Sequence, residues 1–228
     1  MLFEISHLTA RYGTLTAFED VSFQIPEGSK VGIFGHNGSG KSTLLKSLIG
    51  AVSDVSGQVW FNGQAIVPGA THTNVNLGLG FVPQTKNVFP SLTVEKCLQI
   101  AGMQNDSAHL SDVHEIFPIL KERRSQMAGS LSGGQQQLLA VGMAFMRKPK
   151  AILLDEPTAG LSPLAAQMVM RSLESIHAKF GTSVIIVEQN VNLALAMVER
   201  AIILKTGKMV VDSPSAELRA ANRLWEWF

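Results

Sequence analysis

"KVGIFGHNGSGKSTLLKSLIG", residues 30–50, contains the stretch that decides the fold. It opens on an apolar run, Lys30 to Phe34, of the kind that forms a strand buried on both faces. Gly35-His36-Asn37-Gly38-Ser39-Gly40-Lys41-Ser42 follows and fits G-x-x-x-x-G-K-S/T in full. Thr43 continues into a helix-like pattern. Strand, glycine-rich loop and helix in that order build a cradle for phosphate. Glycines at 35, 38 and 40 let backbone N–H groups turn inward around phosphate oxygens without Cβ clashes. The next helix points its positive N-terminus at the same anion. Lys41 reaches the β- and γ-phosphates, and the Ser42 hydroxyl serves Mg²⁺. A glycine-rich turn with a solvated lysine is the plain alternative. The complete spacing and the strand–loop–helix context favour the phosphate site.

Two further apolar runs end on polar residues. "AILL", 151–154, stops at Asp155-Glu156, and "SVIIV", 183–187, stops at Glu188-Gln189-Asn190. Near-continuous apolar strands alternating with helical patterns predict a parallel sheet covered on both sides. Ligands of such sheets sit outside the carboxyl ends of the strands, so three polar strand ends predict one site. Asp155 is expected to hold Mg²⁺ through water. Glu156 is expected to polarise the attacking water as general base. Gln189 is expected to face the ligand, its alternative being a strand-end cap.

The rest of the chain supplies the surroundings. Alternating "VSFQI" (21–25), a turn at Pro26-Glu27-Gly28 and a hairpin at Asn62-Gly63 predict antiparallel β structure in the first third. A second hairpin is expected at Thr206-Gly207. From Leu92 to Met146 the periodicity is helical, interrupted at Pro118 and at 122–130. These features predict an α/β core, residues 1–86 and 146–228, with a helical subdomain inserted at 87–145. The single cysteine, Cys97, rules out an internal disulfide, and the net charge of +1 gives no case for nucleic acid. No apolar run reaches the roughly 18 residues of a membrane span, and the N-terminus lacks the pattern of a signal peptide. The sequons at Asn37 and Asn105 therefore read as chance.

"LSGGQQQLLAVGMA", from Leu131, decides the family. Two glycines opening a helical run cost helix stability and make sense where a phosphate must approach the backbone. Because Gly35–Ser42 already grips one nucleotide, Leu131, Ser132, Gly133, Gly134 and Gln135 point to a second, held by another subunit. The stretch resembles the signature motif of ABC ATPases, and the resemblance covers nearly the whole chain. It implies a P-loop NTPase (RecA-like) core with an N-terminal antiparallel β subdomain and an inserted α-helical signature subdomain. It implies that Tyr12 stacks on adenine, that Gln84 in "GFVPQ" senses Mg²⁺ and the γ-phosphate, and that Ala159–Pro163 is the loop after the carboxylates. Two subunits, identical or different, would then sandwich two ATP molecules and close on binding them.

The wording from Leu131 to Pro163, followed by "VEQN", is similar to ATP-binding subunits of importers of branched-chain amino acids, or of urea and amides. That similarity implies transmembrane permease subunits and an external solute-binding protein as partners, no nucleic acid, and a place on the cytoplasmic face of the membrane. Val88 and Phe89 would adjoin the groove that receives a permease helix, with a plain core role the alternative for Phe89. Most ABC ATPases place a histidine where this chain has Gln189. An amide can donate and accept, but it cannot become a cation near neutral pH. An exporter, a non-transport ABC ATPase of DNA repair or translation, and a small-molecule kinase are the competing readings. The kinase has no use for "LSGGQ", and the non-transport enzymes usually carry long inserts or two cassettes.

Overall fold

The computed structural model describes residues 1–102 and 107–220, with the backbone alone at 107 and 108. Asn105 and the aromatic Leu224–Phe228 lie outside the described residues. In chain order the strands are β1 (Phe3–Tyr12), β2 (Leu15–Ile25), β3 (Lys30–Phe34), β4 (Val55–Phe61), β5 (Gln64–Ala65), β6 (Leu79–Val82), β7 (Ala151–Asp155), β8 (Ser183–Val187), β9 (Arg200–Lys205) and β10 (Lys208–Pro214). The helices are α1 (Lys41–Leu48), α2 (Thr71–Asn74), α3 (Val94–Ala101), α4 (Ser107–Ile116), α5 (Pro118–Glu122), α6 (Gly133–Phe145), α7 (Pro163–Phe180), α8 (Val191–Met197) and α9 (Ser215–Ala220).

The strands form two sheets. The antiparallel one runs β2-β1-β4-β5, and the other runs β10-β9-β3-β8-β7-β6. In the second, β9, β3, β8, β7 and β6 are mutually parallel and only β10 is antiparallel. Both expected hairpins are present. Their turn residues, Asn62-Gly63 and Thr206-Gly207, all have positive φ, the geometry whose twist suits two-residue hairpins.

The apolar runs are continuous because each parallel strand feeds two cores at once. In β7, Ile152 and Leu154 face one cluster while Ala151 and Leu153 face the other; in β8, Val184 and Ile186 alternate with Ile185 and Val187. One cluster joins the sheet to α1 and the antiparallel sheet, through Leu44, Leu45, Phe3, Phe23 and Phe61. The other joins it to α3 to α8, through Cys97, Leu98, Val113, Phe117, Leu139 and Leu173. With a period of two, the middle positions of β7 and β8 are all apolar, and polar residues stand only at their ends. Pro118 interrupts the helical run as expected, standing at the first turn of α5, where its missing N–H is harmless.

Ile185 is fully buried in the middle of β8. Ile185→Ala is expected to lower unfolding free energy by about 2–4 kcal/mol in urea titrations. A loss below about 1 kcal/mol would mean that this face of the sheet is not closely packed.

Candidate active site

The parallel register aligns three strand ends. Ile33 pairs with Val187, and Val187 pairs with Asp155. Gly35, Glu156 and Glu188-Gln189 therefore leave the sheet along one edge. Beside that edge is a cleft of about 290 Å³. Its lining includes Tyr12, Asn37, Gly38, Gly40, Lys41, Ser42, Thr43 and Glu156. Tyr12 is half exposed at the end of β1.

The loop between β3 and α1 has room for nothing larger than glycine at two points. Gly35 has φ +144°, and a Cβ there would lie 2.1 Å from the Leu204 carbonyl oxygen. Gly40 has φ +97°, and its Cβ would lie 2.5 Å from the Ala17 carbonyl oxygen. Lys41 is buried, and its Nζ donates to the carbonyls of Gly35 at 2.7 Å and His36 at 2.8 Å. Burial pushes the Lys41 ammonium below its ordinary pKa, and the nearby Glu156 and Asp155 carboxylates oppose that shift. The Ser39 hydroxyl is buried and has no hydrogen-bond partner among the described residues. His36 has an exposed side chain.

The carboxylates are held by specific donors. Ser42 Oγ donates to Asp155 Oδ1 at 2.6 Å, and Lys46 Nζ lies 3.6 Å from Asp155 Oδ2. Gln84, after β6, and Gln189, after β8, each donate a side-chain N–H to the same oxygen, Glu156 Oε2, both at 2.7 Å. Glu156 has φ +48°, a costly region for a residue with a Cβ, and its backbone N–H is tied to the Val187 carbonyl at 2.9 Å.

The three polar residues after β8 thus have three different tasks. Gln189 directs its amide at Glu156. Asn190 caps α8, its Oδ1 accepting from the backbone of Leu193. Glu188 is buried and accepts from the backbone N–H of Thr158 at 2.8 Å and of Gln189 at 3.1 Å. Burial raises its pKa, against the pull of those N–H donors. Sequence reasoning left Glu188 out of the site, and it also missed Thr158 and Lys46. The signal for Glu188 was its position, one step beyond four apolar residues, Val184 to Val187, in a strand buried on both faces.

Leu131 to Gln135 are absent from the lining of this cleft. Ser132 caps α6 in a reciprocal capping box with Gln135. Phosphate approach was the reason expected for both glycines, yet Gly134 has a packing reason: a Cβ there would lie 2.6 Å from Ala165 Cβ. At Gly133 the nearest atom is Leu161 Cδ2, at an ordinary 3.7 Å. Of the groove residues, Val88 packs against the helical core while Phe89 is exposed.

Gly134→Ala is expected to lose about 1–3 kcal/mol of stability by overpacking, while Gly133→Ala keeps or raises the melting temperature. Calorimetry of the two variants checks this; equal losses would contradict the packing difference.

The family model described as ABC transporter matches residues 18–159. The high-affinity branched-chain amino acid transport ATP-binding protein BraG of Pseudomonas aeruginosa is 40% identical over 211 residues, covering 91% of this chain and 90% of its own length. The probable branched-chain amino acid transport ATP-binding protein LivF of Archaeoglobus fulgidus is 39% identical over 215 residues, covering 92% and 91%. A dimeric ATP-binding cassette in a post-hydrolysis state, bound to ADP and Pi, superposes with a TM-score of 0.82 at 24% identity, covering 93% of this chain and 98% of that one.

Proposed function

The chain belongs to the ABC transporter family as an ATP-binding, ATP-hydrolysing subunit, and we propose that it powers the import of branched-chain amino acids or a related small polar solute. The names of the two relatives support that choice. The single observation that carries the mechanism is the convergence of Gln84 and Gln189 on one oxygen of Glu156, beside a cleft lined by Lys41 and Ser42.

In this reading Tyr12 stacks on adenine. Gly35 to Thr43, His36 and Asn37 among them, wrap the phosphates with backbone N–H groups. The buried Lys41 meets the β- and γ-phosphates, and a bound anion opposes the downward shift that burial gives its pKa. Ser39, whose hydroxyl lacks a partner among the described residues, is a further donor for the same anion. The donors around the Ser42–Asp155 pair are hard oxygens, which suits Mg²⁺. Ser42, the Gln84 amide oxygen and, through water, Asp155 would hold it. The ion supplies neutralising charge to the β- and γ-phosphates.

Glu156 acts as general base. Two amide donors occupy Oε2, so Oε1 is the oxygen that takes the proton from water. Gln189 fixes that carboxylate and can offer an amide to the γ-phosphate, without the positive charge of an imidazolium. The segment Leu131–Gln135, absent from the cleft's lining, serves the nucleotide of a second cassette, identical or not. Residues 87–145, which follow Gln84 and contain this signature, form the helical subdomain. Exposed Phe89 supports docking on a permease there. No described helix is long and apolar enough to cross a membrane. Separate transmembrane permeases, fed by an external solute-binding protein, would therefore hold the chain on the cytoplasmic face.

Glu156→Gln is expected to cut steady-state hydrolysis by at least about 10²-fold while ATP still binds and a closed dimer accumulates on gel filtration. Hydrolysis at the original rate would overturn the general-base assignment. Lys41→Ala is expected to weaken ATP binding by about tenfold or more in titration calorimetry, because a charge-assisted contact to phosphate is lost. Undiminished affinity would remove the phosphate loop from the site.

A further inference from the structure

We infer that Glu188 is a positioning residue for hydrolysis: its buried carboxylate fastens the loop after Glu156 to the segment that carries Gln189, so that the two move as one body. The inference rests on the reading of Glu156 and Gln189 given above.

Glu188 is 2% exposed. One carboxylate oxygen, Oε1, accepts from the backbone N–H of Thr158 at 2.8 Å. The other, Oε2, accepts from the N–H groups of Gln189 at 3.1 Å and Asn190 at 3.4 Å. The salt bridges among the described residues do not include it. A buried carboxylate held by backbone N–H groups and the Thr158 side chain, with no salt bridge among the described residues, is costly, and a Gln or apolar residue would cap a strand end at lower cost. What the carboxylate adds is acceptor capacity on both sides: Oε1 reaches one loop and Oε2 the other. A neutral amide offers a single acceptor oxygen and can serve only one of them.

The two fastened segments lie on either side of the reacting carboxylate. Thr158 is two residues after Glu156, and the Glu156 carbonyl accepts from the N–H of Ala159 at 3.1 Å. Gln189 reaches back to Glu156 Oε2. Glu156, Thr158, Glu188 and Gln189 therefore close a ring of contacts. The loop continues to Leu161, whose side chain neighbours Gly133 at the start of α6. Leu161, Gln189 and Leu193 line a groove of about 440 Å³ with Glu188. A displacement of that loop is carried by Glu188 to Gln189, and from there to the oxygen that Gln189 holds.

The test uses the full chain with Glu188→Ala and Glu188→Gln. In Glu188→Ala, hydrogen exchange at the amides of Thr158, Gln189 and Asn190 is expected to rise about tenfold or more, with α1 unchanged. The kcat for ATP is expected to fall about tenfold, with the Kd for Mg-ATP within about twofold of the original. Adding Glu188→Ala to Gln189→Ala is expected to lower kcat no further, because both changes act through the same side chain. Glu188→Gln, which keeps one acceptor and the volume, gives intermediate values and carries the same readouts if Glu188→Ala does not fold. Unchanged exchange, unchanged kcat, a Kd that rises in step with the loss, or effects that multiply in the double variant would each overturn the inference. Failure of the nucleotide-site reading would show separately, as undiminished ATP affinity in Lys41→Ala, and the exchange measurement stands without it.

Discussion

The parallel register of β3, β8 and β7 is the constraint on which the site depends. Ile33, Val187 and Asp155 stand in one row, and the chain leaves the sheet at the same edge from all three strands. At that row or one residue past it the strands end, and the side chains there are free to be polar. A slip of one residue in β8 would send Gln189 to the other face and place Glu188 where Gln189 now lies. Two cores, one on each face of the sheet, resist such a slip, because β7 and β8 fill both with alternate residues.

Polar and charged groups crowded at one edge carry a cost that the local structure offsets group by group. Lys41 gives its protons to two carbonyls of its own loop, Asp155 receives the Ser42 hydroxyl, and Glu156 receives two amides. Each contact is short and within or beside the phosphate loop. Each is also of a kind that a phosphate or a hard cation can replace, since carbonyls, amides and hydroxyls exchange partners at little cost when a stronger charge arrives. Glu188 differs. Besides the Thr158 side chain, its partners are backbone N–H groups of two loops, which cannot turn away without moving the chain.

Gln189 takes on meaning in this setting. An imidazole in its place would bring a titratable group beside Glu156. The amide brings a fixed donor that holds one carboxylate oxygen without changing the charge of the site. Together with Gln84 it reaches Glu156 from beyond the ends of β8 and β6, so the carboxylate is set by two elements that neighbour β7 on either side.

Much of this was legible in the residues themselves. The phosphate loop, the two hairpins, the buried parallel strands and the placement of Asp155 and Glu156 at a strand end follow from local rules: spacing, turn chemistry and a period of two. So did the family, because "LSGGQ" is contiguous. The roles that sequence left open or misjudged all depend on atoms far apart in the chain. Gly134 is small because Ala165 lies against it, Glu188 is buried because it meets Thr158, and Gln84 and Gln189 share an oxygen because β6 and β8 flank β7. Sequence determined which elements form and where polar groups emerge, since those depend on neighbours along the chain. Only the tertiary structure decided which groups meet, since a hydrogen bond requires its two atoms within about 3 Å, and that distance is set by the packing of the whole sheet.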